Sequence, residues 1–324
     1  MKIVTYRENQ AEKLGLVVKH KIYPCLSLDS TLPSSLLELL KQGDQGLEPL
    51  KIYQERIELG EFQEIGILLE EAELLAPLPN PTSFRDAYAF RQHVATSRAN
   101  RGLEMIPEFD QFPVFYFSNH QAIQGPGKVY GMPRHFEHLD FELEVAIVIN
   151  KTGRNIQASE ADEYIGGFMI LNDVSARTLQ MEEMKLNLGP AKGKDFVSAF
   201  GPYFVTKDEL IGFLRDPKEG HIGNTYNLNM TCKVNGTLLS AGNLSDMDWT
   251  FAEIIERVSY GVTLYPGDII GSGTVGTGCL LELNGTGKRS NADYQEQWLN
   301  PGDIVEMEVT GLGVLINEMV LTEE

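Results

Sequence analysis

The chain has 324 residues and a formal net charge of −19, from 27 Lys and Arg against 46 Asp and Glu. Such an acidic surface repels nucleic-acid backbones and anionic membranes, so we expect neither as a partner. The three cysteines are widely spaced and form no C-x-x-C pair, and no run approaches the ~18 apolar residues of a membrane span. These features predict a globular, cytoplasmic protein with reduced thiols.

The first 80 residues are predicted to form a small unit of their own. The proline-rich segment LAPLPNPTS that follows is typical of a stiff linker, so we place a small N-terminal domain at 1–80 and a larger domain at 81–324. The elements expected in the small domain are three strands and one helix, the helix capped by Ser30 or Thr31: strands Lys2–Tyr6, Leu14–Val18 and Glu64–Leu69, and helix Leu32–Lys41.

In the larger domain, short strands outnumber helices and no alternating strand–helix rhythm is present. Residues 84–102 show poor helical periodicity and are read as a helix start or an ordered loop. The expected strands are Phe112–Asn119, Gly167–Asn172, Thr225–Val234, Thr237–Leu239, Val262–Ile270, Cys279–Leu283, Ile304–Val309 and Val314–Met319, and the expected helices are Ser175–Leu188 and Trp249–Ser259. This pattern predicts an α+β fold, mainly antiparallel β, with a closed or folded-over sheet.

An acidic strand is the most informative stretch. In LDFELEVAIVIN, the side chains of Asp140, Glu142 and Glu144 alternate with apolar ones, which places three carboxylates on one face of a strand. The apolar run Val145–Ile149 then predicts a strand buried on both faces. The carboxylates could line a solvated face, or they could bind a divalent cation. Asp173, at the end of another apolar strand, could cap a helix or complete an oxygen-ligand site for Mg²⁺ or Ca²⁺.

Other candidate residues have both a structural and a functional interpretation. His93 could be a structural histidine or a general base. His135 and His138 form H-x-x-H in a loop, where packing is a simpler interpretation than zinc binding. Lys194 could be solvated, or it could stabilise an enolate beside carboxylates.

The segment Gly271–Gly276 matches G-x-G-x-x-G, a pattern of dinucleotide-binding loops. We reject that interpretation because an apolar strand, CLLEL, is expected to follow the loop where a helix would be needed. A loop that brings Thr274 near a ligand explains the glycines better.

Taken together, the motifs resemble the fumarylacetoacetate hydrolase family, and within it the fumarylacetoacetase branch, from about Asp86 to the C-terminus. The residues that carry the resemblance are D-F-E-L-E (140–144), N-D-V-S-A-R-x-x-Q (172–180), G-K-D-F (193–196), S-G-T (272–274) and L-L-E-L (280–283). The resemblance implies the mixed β-sandwich or roll of that family's C-terminal domain, and a homodimer.

The resemblance also implies roles for individual residues. The implied metal ligands are Asp86, Glu142, Glu144 and Asp173, and the implied contacts to a second cation are Lys194 and Ser198. The implied catalytic residues are His93, Glu282, Lys194 and Arg177. The implied substrate-binding residues are Tyr88, Arg101, Tyr116, Gln180 and Thr274, with Arg98 as a rival of Arg101.

The activity implied by the resemblance is metal-dependent hydrolysis of a carbon–carbon bond in a 1,3-diketo acid such as fumarylacetoacetate, as in tyrosine catabolism. His93, oriented by Glu282, would activate water, and Mg²⁺ or Ca²⁺ would polarise the carbonyl. Alternatives within the family are acylpyruvate hydrolysis, oxaloacetate decarboxylation and ene-dioate isomerisation. An alternative of another class is a metal-binding protein without catalytic activity.

Overall fold

The structure is a computed structural model that describes residues 1–323, and most of its regular structure is β-strand. In chain order the strands are β1 (Lys2–Glu8), β2 (Ala11–Val18), β3 (Lys21–Pro24), β4 (Ile67–Leu68), β5 (Glu73–Leu74), β6 (Ser83–Ala87), β7 (Phe115–Phe117), β8 (Ile123–Gln124), β9 (Gly127–Gly131), β10 (Leu139–Asp140), β11 (Leu143–Ile149), β12 (Gly153–Arg154), β13 (Ile165–Asn172), β14 (Ser175–Ala176), β15 (Ser198–Thr206), β16 (Leu214–Arg215), β17 (Thr225–Tyr226), β18 (Asn229–Val234), β19 (Thr237–Asn243), β20 (Thr263–Leu264), β21 (Asp268–Gly271), β22 (Ile304–Val309) and β23 (Gly313–Leu321).

Helices are fewer and short. They are α1 (Cys25–Leu28), α2 (Leu36–Lys41), α3 (Asp44–Glu58), α4 (Arg91–Ala99), α5 (Ala158–Ala161), α6 (Arg177–Met184), α7 (Ala191–Lys194), α8 (Phe251–Ser259) and α9 (Leu280–Ser290). None of the helices in residues 1–323 is long and apolar enough to cross a membrane.

Two sheets dominate the fold. The larger has the strand order β4-β3-β2-β1-β15-β13-β11-β21-β6-β7, and the smaller has the order β19-β18-β22-β23-β9. Pairing is mostly antiparallel, with β21 and β6 among the parallel exceptions. This sheet-rich arrangement confirms the predicted fold class, α+β with mainly β structure.

Strand β11 lies at the centre of the larger sheet and is buried along its whole length. Val145 and Ile147 face a core shared with the smaller sheet and α8, whereas Ala146 and Val148 face a second core that includes α2 and α3. The alternation follows from the two-residue period of a strand. The prediction that the run Val145–Ile149 is buried on both faces is therefore confirmed.

The N-terminal residues extend the larger sheet. Strand β1 pairs with β15, and Met1, Ile3 and Leu16 share the second core with Phe200 and Phe204 of β15. The division at residue 80 remains a prediction about chain organisation, but the two parts share both a sheet and a core.

Two local predictions in the larger domain are confirmed. Asn235 and Gly236, with φ of 50° and 79°, form the tight turn between β18 and β19, as the Asn-Gly signal predicts. Helix α8 begins after Thr250, whose side chain accepts from the Glu253 amide while the Glu253 carboxylate accepts from the Thr250 amide.

The strand expected at Cys279–Leu283 is wrong, because these residues enter helix α9. A short apolar run does not distinguish a strand from the start of a helix. The first helical amides, of Leu280 and Leu281, donate to the carboxylate of Asp140 at 2.6 and 2.9 Å. This cap comes from a residue about 140 positions away and is invisible in the local sequence.

Other element boundaries also differ from the predictions. Helix α2 begins after Ser35, which caps it in place of Ser30 or Thr31, and α3 is a helix that was not predicted. The strand predicted at Glu64–Leu69 is reduced to β4, and a 3₁₀ turn, Gln63–Ile65, precedes it. The region from residue 84 forms β6 and then α4, and the helix predicted at Ser175–Leu188 is reduced to α6.

The shared core leads to a prediction about truncation. Removing residues 1–80 would expose Phe200, Phe204 and Met169, which are fully buried in the intact chain. Because each large apolar side chain that becomes exposed costs about 1.5–3 kcal/mol, residues 81–324 alone should lose cooperative thermal unfolding and bind a hydrophobic dye. Circular dichroism melts of the fragment and the full chain test this; a sharp transition in the fragment would show that the larger domain folds independently.

Candidate active site

Three buried carboxylates meet at one end of the larger sheet. Asp86 lies on β6, Glu144 on β11, and Asp173 directly after β13. Each side chain is at most 3% exposed, and one oxygen from each lies within 4.8 Å of the others. Strand pairing explains the convergence, because β11 lies next to β13 on one side and next to β21, the parallel partner of β6, on the other.

The electrostatics of this three-carboxylate cluster favour a bound cation. Burial and the repulsion from Asp173 raise the pKa of Asp86 to about 7, and burial together with Asp86 and Asp173 raises the pKa of Glu144 well above its usual range. Within the described residues, Glu144 Oε2 is buried without a hydrogen-bond partner. Buried carboxylate oxygens from separate strands form a donor set that suits a hard divalent cation, so these residues fit the predicted metal.

Glu142 lies next to the cluster but is paired differently. Its Oε1 accepts from Arg177 Nη2 at 2.7 Å, and its Oε2 accepts from Lys194 Nζ. Burial alone would raise its pKa, but Lys194 and Arg177 outweigh burial and hold the pKa of Glu142 well below its usual range. The structure therefore brings together three of the four predicted ligands and leaves the ligand role of Glu142 a prediction.

Asp173 connects the cluster to its surroundings. It accepts from Lys194 Nζ at 2.6 Å and from the Tyr116 hydroxyl at 2.8 Å, and Ser198 Oγ donates to its other oxygen at 3.3 Å. Lys194 and Ser198 thus both contact a predicted metal ligand. Their expected role at a second cation remains a prediction.

Asp140, the first acid of the acidic strand, supports its neighbours. Besides capping α9, it accepts from Arg177 Nε at 2.8 Å. Arg177 in turn contacts Glu142 and donates to Gln180 Oε1 at 2.9 Å. Asp140 thus bonds both to Arg177 and to the first amides of α9, and Asp140 and Arg177 are almost fully buried. These bonds fix the start of α9 relative to the acidic strand.

His93 and Glu282 form a close buried pair. His93 Nδ1 lies 2.6 Å from Glu282 Oε2, and the two residues come from α4 and α9. The other oxygen of Glu282 accepts from the backbone amide of Thr277 at 3.1 Å, which fixes the carboxylate. A carboxylate only accepts, so in the neutral ring Nδ1 carries the hydrogen and Nε2 keeps its lone pair. This geometry brings together the predicted base and its predicted partner, 189 residues apart.

The glycine-rich segment 271–276 packs against the carboxylates. The Gly273 amide donates to Asp86 Oδ1 at 3.2 Å, and Thr274 Oγ1 donates to Glu144 Oε1 at 3.2 Å. A Cβ at Gly271 would lie 2.2 Å from Asp86 Oδ1, and Gly273 has a φ of +77°. These positions therefore require glycine, because the backbone both approaches a carboxylate and turns.

A helix, α9, does follow this loop, so the reason given for rejecting a dinucleotide site is wrong. The next strand, β22, belongs to the smaller sheet and pairs with β18 and β23. A dinucleotide-binding unit needs a parallel neighbour in the same sheet. The loop also faces carboxylates, which would repel a pyrophosphate.

A cavity of about 890 Å³ is lined by Asp86 of the three-carboxylate cluster and by His93 of the His93–Glu282 pair. The predicted residues that line it are Asp86, Tyr88, His93, Arg101, Tyr116, Glu142, Arg177, Gln180, Lys194 and Thr274. Arg98 does not line it, and its Nε donates to the Glu104 carbonyl. Of the two arginines, the structure therefore places Arg101 at the cavity.

The remaining predicted histidines lie away from the cavity. The His135 ring stacks on Phe196 with centroids 4.0 Å apart, and His138 lies 4.8 Å from the Trp298 ring. Both pack in loops, as the simpler interpretation of H-x-x-H expects.

Several cavity residues were not identified from the sequence. Met181 extends into the cavity from α6, and Asn284 and Lys288 from one face of α9. The i, i+4 spacing of Asn284 and Lys288 would have indicated a shared face if α9 had been recognised as a helix.

Comparison with known proteins identifies the family. Residues 82–320 match the fumarylacetoacetate (FAA) hydrolase C-terminal family. The chain belongs to the fumarylacetoacetate hydrolase family. Family members with curated names include a mitochondrial oxaloacetate tautomerase of Bos taurus, 30% identical over 296 residues that cover 91% of this chain and 82% of the relative. An oxaloacetate tautomerase of Bacillus subtilis is 29% identical over 299 residues, covering 89% and 87%.

Solved structures of the family have the same fold. A fumarylacetoacetate hydrolase from Exiguobacterium antarcticum superimposes with a TM-score of 0.70 at 26% identity, covering 99% of this chain and 100% of the other. A maleylpyruvate hydrolase from Sphingobium, solved with manganese(II) and pyruvate, superimposes with a TM-score of 0.69 at 21% identity, covering 99% of both chains.

The raised pKa of Asp86 predicts how the stability of the metal-free protein depends on pH. Since the folded pKa of about 7 lies above the ordinary 3.8, this carboxyl stabilises the fold fully below about pH 4, and the contribution is lost as pH rises through 7. In a chelator, the melting temperature of the parent should therefore fall from pH 5 to pH 8 more than that of Asp86→Asn.

A divalent cation should reverse this loss at pH 8, because it binds only the folded state. At a concentration 100 times its dissociation constant it should add about 2.7 kcal/mol, or roughly 5–10 °C in melting temperature. Equal melting temperatures with and without the cation at pH 8 would contradict a metal role for the cluster.

Proposed function

We propose that the protein is a divalent-metal-dependent enzyme that interconverts the keto and enol forms of a small 2-oxo dicarboxylic acid of the oxaloacetate class. The observation that carries the proposal is the His93–Glu282 pair, because His93 lines the same cavity as Asp86 of the three-carboxylate cluster. A positioned base beside a cation site is the arrangement that proton transfer next to a carbonyl requires.

His93 supplies the base in this proposal. With Nδ1–H held by Glu282, the Nε2 lone pair takes a proton from the carbon between the two carbonyl carbons of the keto acid. The enolate oxygen then takes a proton from solvent to give the enol, and the imidazolium releases its own proton to solvent. The reverse direction follows the same steps, with Nε2 returning a proton to carbon. Glu282 keeps the ring in the reactive tautomer and stabilises the imidazolium that forms.

Asp86, Glu144 and Asp173 would hold the cation, and Glu142 is the proposed fourth ligand. When bound, a divalent cation supplies Lewis-acid polarisation of the substrate oxygens, which acidifies the neighbouring C–H. The choice between magnesium, calcium and manganese is left open by these ligands, because all three accept carboxylate oxygen.

Three cavity cations would bind the anionic substrate and its enolate. Lys194 and Arg177 are buried and paired with carboxylates, which keeps them protonated, while Arg101 is exposed at the cavity. Since an enolate carries more negative charge on oxygen than the keto form does, fixed cations favour it without having to reorganise.

Family comparison supports tautomerisation over the fumarylacetoacetate hydrolysis expected from the sequence. The relatives from Bos taurus and Bacillus subtilis, which span most of this chain, act on oxaloacetate according to their names. Enolisation also needs fewer groups than hydrolysis, since no water has to be positioned and no carbon leaving group released. A homodimer remains a prediction.

Replacing His93 tests the proposed base. His93→Ala should lower kcat/KM for oxaloacetate tautomerisation by about 10²–10⁴-fold, because the proton acceptor is lost while the cation ligands remain. The rate of change in the ultraviolet absorbance of the enol measures it. His120→Ala is the matched control, since His120 is exposed and lies off the cavity.

A His93→Ala variant within a few-fold of the parent would contradict the role of His93. A parent chain that binds metal yet turns over neither oxaloacetate nor any acylpyruvate would favour the alternative of a metal-binding protein without catalytic activity.

Hydrolysis of an acylpyruvate is the second candidate, and the size of the cavity favours it. About 890 Å³ is more space than a four-carbon dicarboxylate fills, and Met181 and Met184 add an apolar wall. In this reaction the same His93 would take a proton from water. The maleylpyruvate hydrolase with bound pyruvate has the same fold.

A substitution in the apolar wall separates the two candidates. In Met181→Trp, kcat/KM for acylpyruvates with long acyl groups should fall at least about 10-fold, because the larger ring takes up space that only those substrates need. Tautomerisation of oxaloacetate in the same variant is the internal control and should stay within a few-fold. Absence of acylpyruvate turnover in the parent would remove the second candidate.

A further inference from the structure

A second cluster of possible metal ligands lies beside the three-carboxylate cluster and has a different chemistry. His93, Cys279 and Glu282 each offer a ligand atom, and these atoms lie within 4.8 Å of one another. All three side chains are buried, at 6%, 0% and 2% exposure. Cys279 has no role in the proposed proton transfer, so its position against the base and its partner needs a separate account.

The backbone around Cys279 holds the thiol in place. Cys279 is the residue that precedes helix α9, and it forms an isolated bridge with Glu142 of the acidic strand. Burial and Asp140 raise the pKa of the Cys279 thiol, while Arg177 and the Glu282 amide at the helix start act in the opposite direction. A neutral thiol is therefore the resting form, and a thiophilic cation would have to displace its proton.

We propose that His93, Cys279 and Glu282 form an inhibitory site for Zn²⁺ and similar thiophilic cations, distinct from the carboxylate site for the catalytic metal. A nitrogen, a sulfur and an oxygen ligand make a donor set typical of zinc, and water from the cavity can occupy the fourth position. Mg²⁺ and Ca²⁺ avoid thiolate ligands, so the two clusters select different metals.

Binding at this site removes the base from the reaction. If Nε2 coordinates Zn²⁺, its lone pair can no longer take a proton from the substrate. If Nδ1 coordinates Zn²⁺, it loses the hydrogen bond to Glu282 that orients the ring. The Cys279 thiol proton is released to solvent as the Zn–S bond forms. Inhibition thus rests on the proposed role of His93, whereas coordination by Cys279 does not.

Access is through the cavity. His93 lines it, and a ligand atom of Cys279 and one of Glu282 lie within 4.8 Å of a nitrogen of the His93 ring. Zn²⁺ could also compete at Asp86, Glu144 and Asp173, so the experiment has to saturate those carboxylates with Mg²⁺ first. The thiolate then provides a signal that an all-oxygen site cannot give.

The test uses Co²⁺ as a spectroscopic substitute for Zn²⁺ in the full-length protein with excess Mg²⁺. The parent should develop a thiolate-to-cobalt charge-transfer band in the near ultraviolet, and Zn²⁺ should abolish turnover. Cys279→Ser should lose the band, because the thiolate ligand is missing. Half-inhibition of this variant, measured against its own rate without Zn²⁺, should need at least about 10-fold more Zn²⁺ than half-inhibition of the parent. Cys232→Ser, which removes another buried thiol, is the matched control and should behave like the parent.

Absence of the band in the parent, its persistence in Cys279→Ser, or unchanged Zn²⁺ sensitivity in that variant would overturn the proposal. Should Cys279→Ser not fold, Glu282→Gln replaces it in the cobalt titration and should weaken Co²⁺ binding at least about 10-fold. The band does not depend on turnover, so its presence in an inactive protein would contradict the proposed function while supporting the site.

Discussion

The fold of this protein buries several carboxylates close together, and their negative charge has to be balanced by nearby cations. Five carboxylates of this region are nearly inaccessible to solvent. They belong to Asp86, Asp140, Glu142, Glu144 and Asp173. Two buried cations, Lys194 and Arg177, are paired with three of them. Within residues 1–323, Asp86 and Glu144 have no Lys or Arg as a salt-bridge partner, and burial together with the neighbouring carboxylates raises the pKa of both groups. A divalent cation supplies the missing compensation.

This compensation also organises the surrounding fold. Asp140 connects the acidic strand to Arg177 and to the first amides of helix α9. Helix α9 then carries Glu282, which orients His93. The base is therefore positioned through a chain of contacts that begins at the acidic strand, so a change at Asp140 would reach His93 without touching it.

The residue types that make up the site could be predicted from the sequence, whereas most of their mutual contacts could not. The two-residue alternation at 140–144 placed carboxylates on one face, and the resemblance to a family pointed to Asp86, His93 and Glu282. What local pattern could not supply was pairing over long separations. Glu142 bonds to Lys194, 52 residues away, and this contact determines which carboxylates remain without a cation.

The fold shows the same limit. The buried strand β11 and the Asn-Gly hairpin follow from local periodicity and turn chemistry, so the sequence predicts them. Helix α9 was missed because its cap is Asp140, about 140 residues earlier in the chain. That one error hid the shared face of Asn284 and Lys288, and with it one wall of the cavity.

The central claim is that Asp86, Glu144 and Asp173 bind a divalent cation. Calorimetric titration of Mn²⁺ into the parent and into Glu144→Gln tests it most directly. The substitution removes the charge of a carboxylate whose Oε2 is buried without a hydrogen-bond partner, and it keeps the shape of the side chain. The account predicts one site per chain in the parent and at least about 10-fold weaker binding in the variant. Equal affinity in the two proteins would contradict it.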